Sequence, residues 1–464
     1  MQRTLEADYV LIGSGAAGMA FADVIVRHTQ SSLIVIDRHA KPGGHWNDAY
    51  PFVRLHLPSH YYGVDSTPLE LDRPFRGGVN DGLMHMASRD EILAYYERVM
   101  ADVLLASGRV YYLPMHDWRD GFAVSRISAT ELPVKANKRY VDGTWSNTGV
   151  PSTHSLNYRV DPALTCVAIN ALPDVPRTFQ NYCVVGQGKT GMDACTWLLG
   201  QGVSPDRIRW IMPRDAWWAD RAKMQFSPEH FDATMDGQIA QMEAVAAART
   251  ADEIFLGFEA RGFSNRHDRT HLPTMWHSAT ASVRESDLLR SISDVVRKGR
   301  LKEITALDLH LEHGHVQAKP DTLYIDCSAT GIPVQAGVPI FQEQRITLEL
   351  TRALRPCLSA ATIAATEIFV DSDTERNAMS QPVIAPGVPG DWPRMMVASM
   401  ANHSAAQAYP EFARFLADTR LDPAPSLFKR IPATDASKHA RIDRFKALAR
   451  EAFPNILRLA SVVV

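Results

Sequence analysis

No apolar run in this sequence approaches the ~20 residues needed to span a bilayer, so no membrane embedding is expected. The N-terminal MQRTLEADYVLIG lacks the pattern of a secretory leader and runs straight into a strand-like segment, and the expected location is the cytoplasm. Cysteine is scarce. Cys166, Cys183, Cys195, Cys327 and Cys357 are odd in number, and none stands in a Cys-x-x-Cys pair. That spacing excludes a disulfide scaffold, a zinc ribbon and a dithiol redox centre, leaving reduced core residues. Charge of one sign is also missing. Lys and Arg number 49 against 52 Asp and Glu, a net charge of −3 that gives no sign of nucleic-acid or anionic-membrane binding. There is no low-complexity tract.

What is present is ordinary in bulk and specific in detail. The 464 residues are 45% hydrophobic and 22% charged, enough for two or three domains with a sizeable core. ADYVLIGSGAAGMAFADVI is a buried-strand pattern at Asp8–Ile12, then Gly13, Gly15 and Gly18, then an amphipathic helix. A second strand, SLIVID, ends in Asp37. In such a βαβ unit Gly13 permits the tight turn, Gly15 lets backbone approach a pyrophosphate, and Gly18 lets helix and strand pack closely. The helix start, with Ser14, Ala16 and Ala17 around it, offers free N–H groups and a positive dipole end. Asp37 can accept hydrogen bonds from a ribose, with Arg38 beside it. The unit recurs in QNYCVVGQGKTGMDACTWL, with Gly186, Gly188 and Gly191, where Lys189 and Thr190 can add pyrophosphate contacts. Its second strand, RIRWIM, is followed by Pro213-Arg214-Asp215. An acid there would suit the free 2′-hydroxyl of NAD. Arg214 instead suits a 2′-phosphate, gripped by two donors, so this site reads as NADPH. Asp215 next door weakens that reading.

After Asp37 comes Gly43-Gly44-His45-Trp46. This resembles the Gly-Gly-x-Trp element of two-dinucleotide flavoproteins, most of all the class B flavin monooxygenases: the flavin-containing, Baeyer–Villiger and N-hydroxylating enzymes. The resemblance implies that Gly44, His45 and Trp46 lie along FAD, and that the cluster Trp46, Asn47, Asp48, Tyr50, Arg54, His56, His60, Tyr61 and Tyr62 surrounds the flavin. Ala329-Thr330-Gly331 is similar to the element by which such chains return to the FAD domain, and Asp142-Gly143-Thr144 stands at the earlier crossover. A later strand, Pro-containing turn and helix would place Pro356, Cys357 and Leu358 against the flavin pyrimidine, where the helix dipole would stabilise negative charge.

The implied fold is α/β: two Rossmann-like dinucleotide-binding domains, the NADPH domain inserted in the FAD domain, with extra helices. The expected boundaries are 1–160 for the first part of the FAD domain, 161–321 for the NADPH domain with a helical insertion about 222–270, 322–370 for the return, and 371–464 for a C-terminal helical cap. DLHLEHGHVQAKPDTLYI is a hairpin pattern with His310, His313 and His315 near its turn. A wet hairpin end without a carboxylate–histidine shell is a poor metal cage, and no metal is expected.

The resemblance implies an NADPH-dependent, FAD-containing monooxygenase that oxygenates a small organic substrate with O2 through a C4a-(hydro)peroxyflavin. Asp48, Arg54 and His56 are the candidate polar residues on the substrate side. A homodimer is the default assembly. The sequence departs from the family in one respect. The stretch before the second glycine motif lacks the Phe-x-Gly-x-x-x-His-x-x-x-Trp (or Phe) signature, and His154 lies too far upstream to supply it. Two other readings therefore stay open: an NADPH-dependent flavin dehydrogenase or reductase without oxygen insertion, and an FAD-binding redox sensor with little turnover.

Overall fold

The computed structural model describes residues 4–69, 73–333 and 335–461. Residues 1–3 and 70–72 of the expected first domain, residue 334 of the expected return and residues 462–464 of the expected cap lie outside the described residues. The chain opens with β1 (Leu5–Ile12), α1 (Ala16–His28) and β2 (Leu33–Ile36). A long connection carrying α2 (Arg89–Val99) leads to β3 (Val110–Leu113). The hairpin of β4 (His116–Arg119) and β5 (Phe122–Ser125) then leads into β6 (Glu131–Asp142). β3, β2, β1 and β6 pair in parallel, with Ile12 opposite Ile36 on one side and Asp142 on the other. Parallel strands covered on both faces read as unbroken apolar runs, and all four residues of β2 are buried. α1 is buried from Gly18 to Val26, as befits a helix with few polar side chains.

The second sheet is built from β8 (Thr165–Ala168), β9 (Asn181–Val185), β10 (Ile208–Ile211), β14 (Asp294–Val296) and β18 (Thr322–Asp326), in the order β14-β10-β9-β18-β8, all parallel. α3 (Lys189–Gly200) follows β9 and α6 (Val283–Arg290) precedes β14. Short β7 (Arg159–Val160) joins β15 (Leu301–Ile304), β16 (Asp308–Leu311) and β17 (Gly314–Gln317) in a separate sheet. The histidine-bearing hairpin is β16–β17, and no group of three metal-ligating side chains occurs among the described residues.

Three boundaries differ from those expected. The return is expected from residue 322, yet Thr322–Asp326 is a central strand of the second sheet, pairing with β9 and β8. Its Leu323, Tyr324 and Ile325 are all buried, which an edge or a loop could not provide. The return to the first sheet comes later, through β19 (Phe341–Gln342) and β20 (Arg345–Thr347), where Arg345 and Ile346 pair with Tyr140 and Val141 of β6. Second, β7 begins inside the span assigned to the first domain but pairs with β15. Third, the insertion is not helical alone. α4 (Phe231–Ala247) and α5 (Ala251–Ala260) are accompanied by a sheet of β11 (Ala216–Asp220), β12 (Ser264–Asn265) and β13 (Met275–Ala281).

After β20 come α7 (Pro356–Phe369), α8 (Asp373–Met379), α9 (Asp391–Ala406), α10 (Pro410–Asp418), α11 (Pro423–Lys429) and α12 (Ala436–Ala460). α7 packs on α1, so it belongs with the first sheet. α12 lies along α4, and Asn455 Nδ2 donates to the Val245 and Ala248 carbonyls at 2.6 and 2.7 Å. Insertion and C-terminal helices thus share one apolar core, in which Trp217, Phe255 and Phe258 meet Trp392, Met395, Ile456 and Leu459. Among the described residues no helix is long and apolar enough to cross a membrane.

Candidate functional site

The two glycine motifs form near-copies of one turn. Gly13 and Gly186 have φ of 96° and 118°, which side chains rarely adopt. A Cβ on Gly18 would lie 2.1 Å from the Gly13 carbonyl oxygen, and one on Gly191 2.0 Å from that of Gly186. Only glycine lets each helix sit this close to its strand. α1 starts from Gly15 and α3 from Gly188, and neither start has a side-chain cap. α7 starts from Arg355 with Pro356 in its first turn, again without a side-chain cap. Free N–H groups at all three starts are places for negative charge.

All three starts open on one cavity of about 2280 Å³, far above the roughly 300–1,000 Å³ of an ordinary small-molecule site. Ten lysine and arginine side chains line it against three carboxylates, Asp37, Asp117 and Asp142, although the chain as a whole is slightly acidic. A Cβ on Gly188 would meet nothing within 4 Å, so the space in front of α3 is open. The volume, the charge and the open helix starts fit two dinucleotides. Gly13, Gly15, Ala16, Ala17, Asp37, Arg38, Gly44, His45 and Trp46 line one part. Gly186, Gly188, Lys189, Thr190, Arg214, Ala329, Thr330 and Gly331 line another, and Pro356, Cys357 and Leu358 a third. Ser14, Gly18 and Gly191 do not face the cavity; they shape the turns behind it.

The two crossovers are built alike. Asp142 Oδ1 accepts from the N–H and hydroxyl of Thr144 at 2.9 and 2.7 Å. Asp326 Oδ1 accepts from the N–H and hydroxyl of Ser328 at 3.3 and 2.6 Å. The crossovers also touch, with Gly149 N–H donating to the Gly331 carbonyl at 3.0 Å. His154 is held here, its Nε2 2.6 Å from Asp326 Oδ2, and it does not line the cavity.

Several side chains have other partners than the sequence suggested. Asp37 is buried, and its carboxylate already takes four hydrogen bonds: Ser14 N–H and Oγ on Oδ2, His39 N–H and Nδ1 on Oδ1. Burial would raise its pKa, but these bonds outweigh it and hold the carboxyl below its ordinary value. Asp48 is corrected outright as a substrate-side residue. It does not face the cavity; its Oδ2 lies 2.9 Å from His39 Nε2 and 3.9 Å from Arg38. The 3₁₀ turn Gly44–Asp48 brings it back toward the end of β2, beside Arg38 and His39. Arg54 does line the cavity, donating to the Met86 carbonyl at 2.9 Å with its guanidinium over Phe75. His56 lines it too. Burial, with Lys189 and Arg221 nearby, pushes its pKa down to about 3, so it is neutral near pH 7. Cys357 is buried and its thiol is pushed up by that burial, which makes it a packing group and not a nucleophile.

Lys189 also differs from expectation. Its Nζ pairs with Asp193 and lies 3.0 Å from Glu285 Oε1. Glu285 Oε2 lies 2.8 Å from Arg221, and Tyr50 donates to Asp193 at 2.6 Å. Arg221 further donates to the His56 carbonyl at 3.1 Å and to Asn80. This buried network ties the first-sheet connection to the second sheet and the insertion. Burial alone would raise the Glu285 pKa; Lys189 and Arg221 outweigh it and hold the carboxyl well below its usual range. Arg214, by contrast, is exposed and lines the cavity, and no carboxylate partner faces it among the described residues. Its neighbour Asp215 is turned away onto Arg297 at 2.8 and 3.1 Å, so it does not neutralise Arg214. The Gln187 amide bridges the Arg214 carbonyl and the Ala216 N–H. Replacing Arg214 by alanine is expected to raise the KM for NADPH roughly ten- to a hundredfold and to leave that for NADH unchanged, in parallel steady-state assays.

The sequence reading missed the apolar limb of the cavity. Trp276, Trp392, Met395, Met396 and Met400 line it, backed by the fully buried Trp217, Phe255 and Phe258, with Trp217 stacked on Phe255 at 5.8 Å and Phe258 edge-on to Trp392 at 5.6 Å. The signals available were Trp217-Trp218 and the methionine-rich RMMVASM, since methionine suits adaptable apolar surfaces. Arg352 and Arg355, missed as well, line the cavity while sharing Asp422 at 2.9 and 3.0 Å.

The profile of the NAD(P)-binding Rossmann-like domain matches residues 11–68. The uncharacterized protein Rv2000 of Mycobacterium tuberculosis (strain ATCC 25618 / H37Rv) is 40% identical over 420 residues, 90% of this chain and 78% of that protein. The uncharacterized protein Mb2023 of Mycobacterium bovis is similar to the same extent. Among solved structures, cyclohexanone-bound cyclohexanone monooxygenase in its Rotated conformation aligns with a TM-score of 0.50 at 13% identity, over 98% of this chain and 99% of that one. That likeness shows a class B flavin monooxygenase-like fold.

Proposed function

We propose a function for a chain that belongs to one family with the mycobacterial proteins Rv2000 and Mb2023: it is an NADPH-dependent, FAD-containing monooxygenase acting with O2 on a small, largely apolar organic substrate. The observation that carries this reading is the joining of two uncapped glycine-turn helices and an aromatic, methionine-rich limb in a single basic cavity. When bound, NADPH would supply a hydride and FAD the redox chemistry that reaches O2. The rest is the work of this chain. The α1 start and Asp37 would hold one dinucleotide; the α3 start and Arg214 would hold the other. Arg352 and Arg355, two cations on one carboxylate, leave net positive charge beside the α7 start. That charge and the helix dipole favour an anionic ring there. His56 stays neutral and is a hydrogen-bonding group rather than a cation. The walls of Trp276, Trp392 and Met396, backed by the core residues Trp217 and Phe255, would exclude water and cover an apolar substrate.

A reductase without oxygen insertion is the second reading, favoured by the missing histidine signature before the second glycine motif. The two are separated by supplying isotopically labelled O2 with NADPH and a set of apolar ketones, amines and sulfides. A monooxygenase incorporates one labelled atom into a product, and hydrogen peroxide falls below the NADPH consumed. Peroxide equal to NADPH with every compound would contradict the proposal.

A further inference from the structure

His39 was not singled out in the sequence, yet it sits where the first dinucleotide's ribose would be held. It lines the cavity, with its side chain only 15% exposed. Its Nδ1 lies 3.1 Å from Asp37 Oδ1 and its Nε2 2.9 Å from Asp48 Oδ2. Both neighbours are acceptors. A neutral imidazole has one N–H and can satisfy only one of them, whereas the doubly protonated ring satisfies both. Asp37 Oδ2 is committed to Ser14, so Oδ1 is the oxygen a ribose hydroxyl would approach. That oxygen is the one the His39 ring occupies. The other charged or titratable groups near this pair are Arg38, 3.9 Å from Asp48, His45, whose protonation His39 opposes, and Tyr112 of β3, on which Asp37 acts; His116 and Asp117 of β4 line the same cavity, Asp117 paired with Arg126.

We propose that His39 is a proton-linked positioning residue of the FAD ribose site: the ribose hydroxyl takes the place of its Nδ1–H on Asp37, and the imidazolium, left with Asp48 alone, loses its proton. This rests on reading the first glycine motif as the FAD site. No covalent bond changes; one hydrogen bond replaces another and a proton passes to solvent. The direction of the linkage follows. Free protein holds the proton more tightly than the FAD complex, since hydrogen bonds to Asp37 and then Asp48 raise the ring's pKa above its ordinary value. Acid therefore favours the free protein, and FAD affinity rises with pH until the free protein's ring is neutral. The slope reaches at most about tenfold per pH unit, the limit for one proton.

The test uses full-length protein stripped of flavin. FAD dissociation constants are read from quenching of flavin fluorescence between about pH 5.5 and about pH 8.5, the range in which histidine titrates. Calorimetry in buffers of different ionisation enthalpy counts the protons released. The wild type is expected to bind more tightly as pH rises and to release up to one proton. His39→Gln keeps a donor without a titrating ring and is expected to give a flat profile. Asp48→Asn keeps the ring on Asp37 but weakens its hold on the proton, moving the slope to lower pH. A purely structural His39 would change affinity and leave the slope alone. Parallel slopes in wild type and His39→Gln, or binding without proton release, overturn the proposal while the FAD site stands. Failure of FAD to bind at any pH overturns both.

Discussion

Gly188→Asp is expected to lower the rate of flavin reduction by NADPH at least about a hundredfold, while the protein stays folded and keeps its FAD. The backbone allows the change. Gly188 has a φ of −63°, and its Cβ would point into open space. It is also the N-cap of α3, and aspartate is among the best N-cap residues, so the helix gains slightly, by about a few tenths of a kcal/mol over the glycine it replaces. The carboxylate that gives this gain occupies the N–H groups a pyrophosphate needs. It also sets like charge against like, a penalty of several kcal/mol, where about 1.4 kcal/mol is tenfold. Anaerobic stopped-flow with NADPH, with thermal melts of both proteins, checks this. An unchanged reduction rate would place the second dinucleotide elsewhere.

Glu285→Ala is expected to destabilise the protein by about 3–5 kcal/mol, the usual result of removing one partner from a buried ion pair. Glu285 is 2% exposed and stands between Lys189 and Arg221; Arg221 is also 2% exposed. Without the carboxylate, Arg221 keeps only neutral partners, Asn80, Thr280 and backbone carbonyls. Because the network joins the two sheets, the loss should appear as a lower urea midpoint and faster hydrogen exchange in the Asn80 loop. The pH dependence has a defined sign. A carboxyl whose pKa is depressed by folding contributes fully above its ordinary range and loses that contribution as pH falls below it. Wild type and variant should therefore differ at neutral pH and converge in acid. A constant difference down to low pH would mean that Glu285 acts by packing alone.

The parts of this site legible in the sequence are those where one residue dictates its own backbone. Gly13, Gly186, Gly18 and Gly191 are required by turns and close contacts within a few residues, so their spacing announces two Rossmann-like units. The place of Arg214 just after a strand was legible because a strand end can be counted from a glycine motif. What resolves its neighbour Asp215 is Arg297, a partner 82 residues away that no local pattern marks. The partners of Lys189 and Asp48 were hidden for the same reason: Glu285 and His39 reach them through the folding of the chain, which no local pattern marks. The strand Thr322–Asp326 was assigned by the motif that follows it, whereas burial on both faces decides its sheet. The apolar limb had no periodicity to read, since residues from Trp217 to Met400 reach it from two strands and two helices, β11, α5, β13 and α9.

The most direct test of the whole account is anaerobic titration of the FAD-loaded protein with NADPH and, separately, NADH, followed by the flavin absorbance. Two dinucleotides held in one cavity predict stoichiometric bleaching by NADPH, with NADH much less effective because Arg214 then has no 2′-phosphate to hold. A flavin that stays oxidised under excess NADPH would contradict the shared cavity as a hydride-transfer site.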